Sequence, residues 1–562
     1  MINSSIDFIE KQVDDYISKQ NVFNCSKNVL VLNILRYLEF LIMWKKQEVD
    51  WVRHGHNETS NSLRGIENSI DWAYKLSPVE NSYDFKFNEV NLSNLKNIFD
   101  LSVRYSVISD LFFYTHKSLL NFNYDKDDKL ISLEQKDKKN QLYKVINAYV
   151  ASHHVEKEVP KKMTTKIYSE FVDKIDNLIQ KIDIKGNKNF FSLNYKVKDS
   201  LDIYDFILKE NDKNMNDFDE QWDLGGYKIK HFRMVFSAIK SIAIIHNNYL
   251  FFLYKKDGDR IVKEKFFQNL VPLYNKKRWV DLIIYFTDLP KEVIIQVVDD
   301  LTYDFQNAKN KNKIGVTLYC FYSIGDNILA LSNTVARSSF AERNIWLMLE
   351  RKKRGIHSKL SNLKEDYWRS SIINRIPDKE IWVYPKAIKI EKTDIDLLLI
   401  DFKNKFGLAV ELKWLTLPNR SMDYYLINEQ LSKGQKQALY SENWVNKNRK
   451  KLANKIALKN SSLIDIEFRS VVLSKNSIGS HEVNENNSVP ILSENLFWWM
   501  IEGASVVNLK ILYNKILKKK FYPQKNKHYI VSDRSIEYAG YTFIEKDVYM
   551  PNGEWSYIND LD

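Results

Sequence analysis

Cysteine is nearly absent from this chain: Cys25 and Cys320 are its only two, with no CxxC and no Cys/His cluster. That argues against a disulfide scaffold and a structural zinc site, and fits a reducing, cytoplasmic setting. Long apolar runs are missing too. The most apolar helix candidate, VLVLNILRYLEFLIMW, is interrupted by Asn33, Arg36 and Glu39. These recur at helical spacing as one polar stripe, so the segment reads as a buried amphipathic helix and not a membrane span. The start, MINSSIDFIEKQVDDYISKQ, has too many acids and too short an apolar stretch for a signal peptide. No GxxxxGKS or GxxxxGKT occurs, which argues against a P-loop motor.

What is there is a folding composition: 44% hydrophobic and 13% aromatic over 562 residues, enough for several domains. The formal charge of +12 points to an anionic partner such as nucleic acid. A Lys-, Asn- and Ile-rich composition of AT-rich coding origin raises the charge equally well.

The pattern along the chain predicts a multidomain protein. Residues 1–225 read as mostly α-helical, with apolar positions three and four apart and few Gly or Pro breaks. The charged stretch 122–140 reads as an exposed connection within them. Residues 226–345 read as a small α+β module, winged-helix-like in its helix-then-strands order. In it TDLPKEVIIQVVDD predicts a helix capped by Thr287 or Asp288, with Pro290 in the first turn. Residues 346–500 carry two helices, three strands, a helix and a strand, which predicts an α/β layer on a mixed central sheet. Residues 501–562 form an extension with a hairpin signal at Asn552-Gly553.

The chemistry is concentrated in TDIDLLLIDFKNKFGLAVELKW, residues 393–414, two apolar strands joined by a basic turn. Alternation puts Glu411 and Lys413 on one face, and Asp394 and Asp396 on one face of the preceding strand. A turn at FKNK, or at its central Lys403-Asn404, sets Asp396 across from Glu411 and Asp394 across from Lys413. Opposed Cβ atoms lie about 4.5–5.5 Å apart, and a slip of one residue undoes the arrangement. Two crowded, buried carboxylates repel and resist ionisation. A divalent cation relieves both, and Mg²⁺ favours oxygen ligands from one or two carboxylates together with water and phosphate. With Lys413 to orient a water and offset charge, the set suits phosphodiester hydrolysis.

Asp396, a gap of fourteen residues, then Glu411-Leu412-Lys413 resembles the PD-(D/E)XK nuclease superfamily, over roughly residues 360–475. Ile395 stands where that pattern has Pro. The resemblance implies a restriction-endonuclease-like domain in which Asp396, Glu411 and the Leu412 carbonyl hold Mg²⁺ or Mn²⁺ and Lys413 serves catalysis. It also implies an acid on the preceding helix, best matched by Glu365 and next by Glu342. On the helix after the strand it implies a polar residue, Gln437 in the KGxxQ pattern or, alternatively, Gln430. Lys433 and Lys436, with Gln430, are then candidates for the nucleic-acid backbone.

The implied activity is a DNA endonuclease acting on double-stranded DNA in defence against foreign DNA. Two other readings are a retired nuclease fold serving as a binding or assembly subunit and a nuclease directed at RNA. The helical region 1–225 would be a sensor, a gate, or a surface for a protein partner or a second copy. Four other signals are weaker. His54, His56 and Glu58 read as a polar loop more readily than as a metal site, and His153-His154 point in different directions. The basic runs ERKKRG and NKNRKKLANK read as solvated faces, and Trp498-Trp499 reads as core.

Overall fold

Burial of a polar stripe, not its exposure, organises the first long helices. In the computed structural model Asn33, Arg36 and Glu39 lie on the helix Lys27–Glu48 and are all buried. Glu39 accepts hydrogen bonds from Thr334 N–H, Thr334 Oγ1 and Ser332 Oγ, so an otherwise costly carboxylate caps the short helix Asn333–Ser338. The structure describes the chain apart from residues 1, 49–50, 79–91, 159–164, 183, 187–190, 215–216, 258–262, 304–314, 326, 339–340, 377–380, 417, 419–420, 486–487, 503–507, 520–521 and 551–562. Among the described residues no helix is long and apolar enough to cross a membrane.

The chain divides into two compact units, each built from separate stretches. The first takes Met1–Ser109, Val159–His357 and Ile536–Tyr541; the second takes Asp110–Glu158, Ser358–Ser535 and Thr542–Asp562. The first unit is mainly helical. It also holds a sheet of four short strands, ordered Leu273–Asn275, Ile328–Leu331, Phe321–Ser323 and Thr302–Tyr303. The helix expected to start at Thr287 or Asp288 runs from Lys291 to Asp300 with Pro290 at its N-cap. Thr287 instead closes the preceding helix, its Oγ1 donating to Ile283 O, and Asp288 is that helix's left-handed C-cap. His54, His56 and Glu58 lie within the helix Trp51–Leu76 and not in a loop.

In the second unit the charged stretch expected to be a connection is a hairpin. Its strands are β1 (Leu120–Asp125) and β2 (Leu130–Gln135), followed by helix α1 (Asn140–Glu158). Then come α2 (Arg354–Arg375), which begins at the end of the first unit, and β3 (Ile381–Tyr384). The short strands β4 (Ile388–Lys389) and β5 (Asp394–Ile395) pair only with each other, as a two-stranded ribbon. After them run β6 (Leu397–Asp401), β7 (Phe406–Lys413), α3 (Ser421–Lys447), α4 (Arg449–Lys455), β8 (Glu467–Ser474), β9 (Ile491–Ser493), α5 (Glu494–Glu502) and α6 (Leu509–Leu517).

Five of these strands form one mixed sheet, ordered β9-β8-β7-β6-β3: β3, β6 and β7 run antiparallel, and β7, β8 and β9 parallel. Both faces are covered, which is why β6 and β7 read as nearly unbroken apolar runs. Leu397, Leu399, Leu408, Val410 and Leu412 enter a core with Trp368 of α2 and Val150 of α1. Leu398, Ile400 and Ala409 enter another with Trp444 and Val445 of α3. The hairpin expected at Asn552-Gly553 lies outside the described residues. The hairpin observed nearby joins strands Ile530–Tyr538 and Tyr541–Tyr549 through Ala539-Gly540, both at positive φ.

Candidate active site

The turn between β6 and β7 fixes the register on which the site depends. Asp401 pairs with Phe406, leaving Phe402, Lys403, Asn404 and Lys405 as the loop. Asp401 holds it by accepting from Asn404 N–H at 2.9 Å and Asn404 Nδ2 at 2.8 Å. Lys405 takes the left-handed conformation at φ 52°. The ladder ends at Leu397 opposite Val410, so Asp396 lies one residue beyond the last pair, near enough for its charge to act on Glu411.

There the chain bends. Asp394 is not across from Lys413, as alternation along one continuous strand predicts. It pairs with Lys389 in the ribbon, because the chain leaves the sheet at Asp396. The bend is pinned from two sides. Leu412 N–H donates to Asp396 Oδ2 at 2.8 Å, and the buried Arg369 donates its Nε to the Asp396 carbonyl and its Nη1 to Asp366.

Asp396 and Glu411 are 8% and 4% exposed, so their charges are expensive unless compensated. Burial pushes the Asp396 carboxyl up to about 6 and Glu365 adds to the rise, against the pull of the Leu412 N–H, Lys413 and Arg369. Burial, then the Asp396 charge, pushes Glu411 up to about 8, with Lys413 pulling back and Glu365 adding to the rise. Glu365 is exposed on α2, yet its charge acts on both carboxylates.

Lys413 projects from the same strand face as Glu411 and donates its Nζ to Glu411 Oε1 at 2.5 Å. Its stem lies against α3 at Gly434, where an added Cβ would stand 2.7 Å from Lys413 Cε and 3.2 Å from Cγ. Gly434 is therefore the gap in α3 that the lysine fills. Residues three apart on a helix are neighbours, so Gln437 sits one turn along from this contact. Its Nε2 donates to Thr393 Oγ1 at 3.2 Å, while among the described residues its buried Oε1 has no hydrogen-bond partner.

The remaining expected residues are less engaged. Gln430, Lys433 and Lys436 are exposed on α3. Glu342, the second match for the upstream acid, belongs to the first unit. There Arg233 holds it at 2.6 Å and it accepts from Asp217 N–H. Sequence reasoning missed Arg369, although it lies four residues after Glu365 on one helical face. It also missed Gly434 as a contact, and Trp414, whose ring carries Lys475 Nζ at 4.0 Å and Lys364 Nζ at 4.5 Å. An open cleft lined by Asn446, Arg449 and residues 464–469 lies at the other end of β8 and holds none of these side chains.

Comparison with known proteins adds no relative. No family model matches the chain, and neither a curated protein nor a solved structure matches it.

The donor set fits a hard divalent cation. It offers two carboxylates whose protonation burial favours, with a third carboxylate acting on both. One turn of α3 beyond the Lys413 contact, the buried Gln437 Oε1 lacks a donor among the described residues.

Proposed function

We propose that this chain is a metal-dependent nuclease that hydrolyses phosphodiester bonds. One observation carries the reading: two buried carboxylates interact, Asp396 at the bend before β6 and Glu411 on β7, with the Lys413 ammonium laid on one of them. The surrounding topology supports it. Helix α2, the antiparallel β3-β6-β7, helix α3 and the parallel β8 form an α/β layer on a mixed sheet around it, the kind of layer the sequence predicts.

Asp396, Glu411 and the Leu412 carbonyl would hold Mg²⁺ or Mn²⁺, which supplies a Lewis acid and acidifies a bound water. Lys413 orients the attacking water and offsets negative charge on the phosphate. Arg369 fixes the Asp396 backbone, and with it the direction of the carboxylate. Gln437 offers its buried Oε1, without a donor among the described residues, as an acceptor for a water proton. Double-stranded DNA as substrate, endonucleolytic cutting and a role against foreign DNA follow from the resemblance and are part of this proposal.

The test is cleavage of supercoiled plasmid, linear duplex and single-stranded RNA with Mg²⁺, Mn²⁺ or EDTA, comparing the native chain with Asp396→Ala and Lys413→Ala. Metal-dependent plasmid cutting lost in both variants supports the reading, and nicked or linear product supports the endonuclease. Cutting that survives both substitutions places the active site elsewhere.

A further inference from the structure

The ribbon of β4 and β5 ends one residue before Asp396, so whatever it touches is delivered to the site. Its base is fixed: Ile388 and Ile395 are 3% and 1% exposed and join the apolar cluster of Leu398, Ile400 and Trp444. Its tip is closed by Ile390 N–H donating to Thr393 O at 3.0 Å. Three contacts bring the tip onto α3. Gln437 Nε2 donates to Thr393 Oγ1, Tyr440 Oη donates to Glu391 at 3.5 Å, and Lys392 Nζ stands 5.7 Å from the Tyr440 ring centroid.

Strand alternation turns Lys389 away from the buried isoleucines, and it is exposed together with Lys392. Lys433 and Lys436, on the turns of α3 that precede Gln437 and Tyr440, are exposed as well. Two acids belong to the same ribbon. Glu391 is shared between Tyr440 and Lys451, the latter at 4.0 Å, and Asp394 is the cross-strand partner of Lys389. Among the described residues Lys389, Lys433 and Lys436 make no ion pair. The anchored ribbon and α3 thus present exposed ammonium groups beside the proposed site.

We propose that the ribbon, residues 388–395, is a second binding element for the nucleic-acid backbone, with Lys389 and Lys392 contacting phosphates alongside Lys433 and Lys436 of α3. The inference rests on the reading of the site as a nuclease and extends its substrate contact to an element outside the main sheet. Each phosphate neutralised by a lysine releases condensed counterions, so the salt dependence of binding counts the contacts.

The experiment measures binding of a short labelled DNA duplex to the Asp396→Asn chain in EDTA by fluorescence anisotropy across a KCl series. Wild-type cleavage is run in parallel. Lys389→Gln with Lys392→Gln should lower the slope of log K against log salt by about 1.8, at about 0.9 per contact. The control pair Lys515→Gln and Lys518→Gln should leave the slope unchanged. Those lysines belong to α6 and its C-cap, and α6 packs Tyr513 on Phe406 at the opposite end of β7 from Lys413. An unchanged slope in the ribbon variant, with the parent binding and the wild type cutting, overturns the ribbon's role alone. A wild type that neither binds nor cuts nucleic acid overturns the reading of the site and the ribbon's role with it.

Discussion

Replacing Gly434 by alanine separates the placement of Lys413 from the stability of the fold. The new Cβ would stand 2.7 Å from Lys413 Cε and 3.2 Å from Cγ. Ordinary carbon contacts lie at about 3.5–4.0 Å, so the lysine must move by roughly 1 Å. Its far end is flexible and the helix backbone is not, so the side chain yields. Glycine inside a helix costs about 0.5–1 kcal/mol relative to alanine, and this gain offsets much of the strain. Net stability should therefore stay within about 1 kcal/mol of wild type, a shift in Tm of a few degrees at most. Misplacement of a catalytic group by about 1 Å costs on the order of 100-fold in rate. The Gly434→Ala chain should melt with the wild type and cut plasmid about 10- to 100-fold more slowly at saturating Mg²⁺. Thermal melting and single-turnover cleavage read the two quantities separately. Wild-type cleavage by a well-folded variant would refute the argument that Gly434 seats the lysine.

The pH dependence of the metal-free chain has a definite sign. Both carboxylates are raised on folding, so their contribution is full below their unfolded values, 3.8 for Asp396 and 4.5 for Glu411, and is lost as pH rises through about 6 for Asp396 and about 8 for Glu411. Melting in EDTA should show the wild type losing up to a few kcal/mol between pH 5 and about pH 8.5 relative to Glu411→Gln; parallel curves would contradict the burial argument. Arg369→Ala removes the donor to the Asp396 carbonyl and a nearby positive charge. It should cost about 1–3 kcal/mol of stability and move the acidic limb of the pH–rate profile upward, and an unmoved limb would remove Arg369 from the site's electrostatics. Gly407→Ala would place a Cβ 2.4 Å from the Phe468 ring in the sheet. It should destabilise by about 1–3 kcal/mol through overpacking and lower cleavage only in step with the folded fraction, as denaturant titration would show.

The register of the central hairpin was legible because two local signals agree. Alternation along VELK fixes which residues share a face, and a four-residue turn at FKNK fixes what lies opposite. Asp394 was not legible, because the bend at Asp396 depends on Arg369 and the Leu412 N–H, neither of which is a neighbour in sequence. Helix α1 shows the same limit more strongly. Composition groups it with the helical N-terminal half, yet Asn147 donates to Gly479 O, 332 positions away, and accepts from Ser477 Oγ and Ile478 N–H. That loop in turn reaches the end of β7, where Asn476 donates to Leu415 O and Lys475 N–H donates to Lys413 O. The charged residues 122–140 hide a hairpin because its strands are exposed on one face, so alternation is masked by the acids of the turn. The polar stripe of Asn33, Arg36 and Glu39 was visible by spacing, but its burial depends on Ser332 and Thr334 nearly 300 positions away.

The central claim is that Asp396 and Glu411 together form a metal site, and calorimetric titration with Mn²⁺ tests it most directly. The native chain should bind Mn²⁺ with proton release near neutral pH, because the raised carboxyls must ionise to take the cation. That binding should disappear in Asp396→Asn and in Glu411→Gln while both variants still melt cooperatively. Equal Mn²⁺ binding by the native chain and both variants would contradict the account.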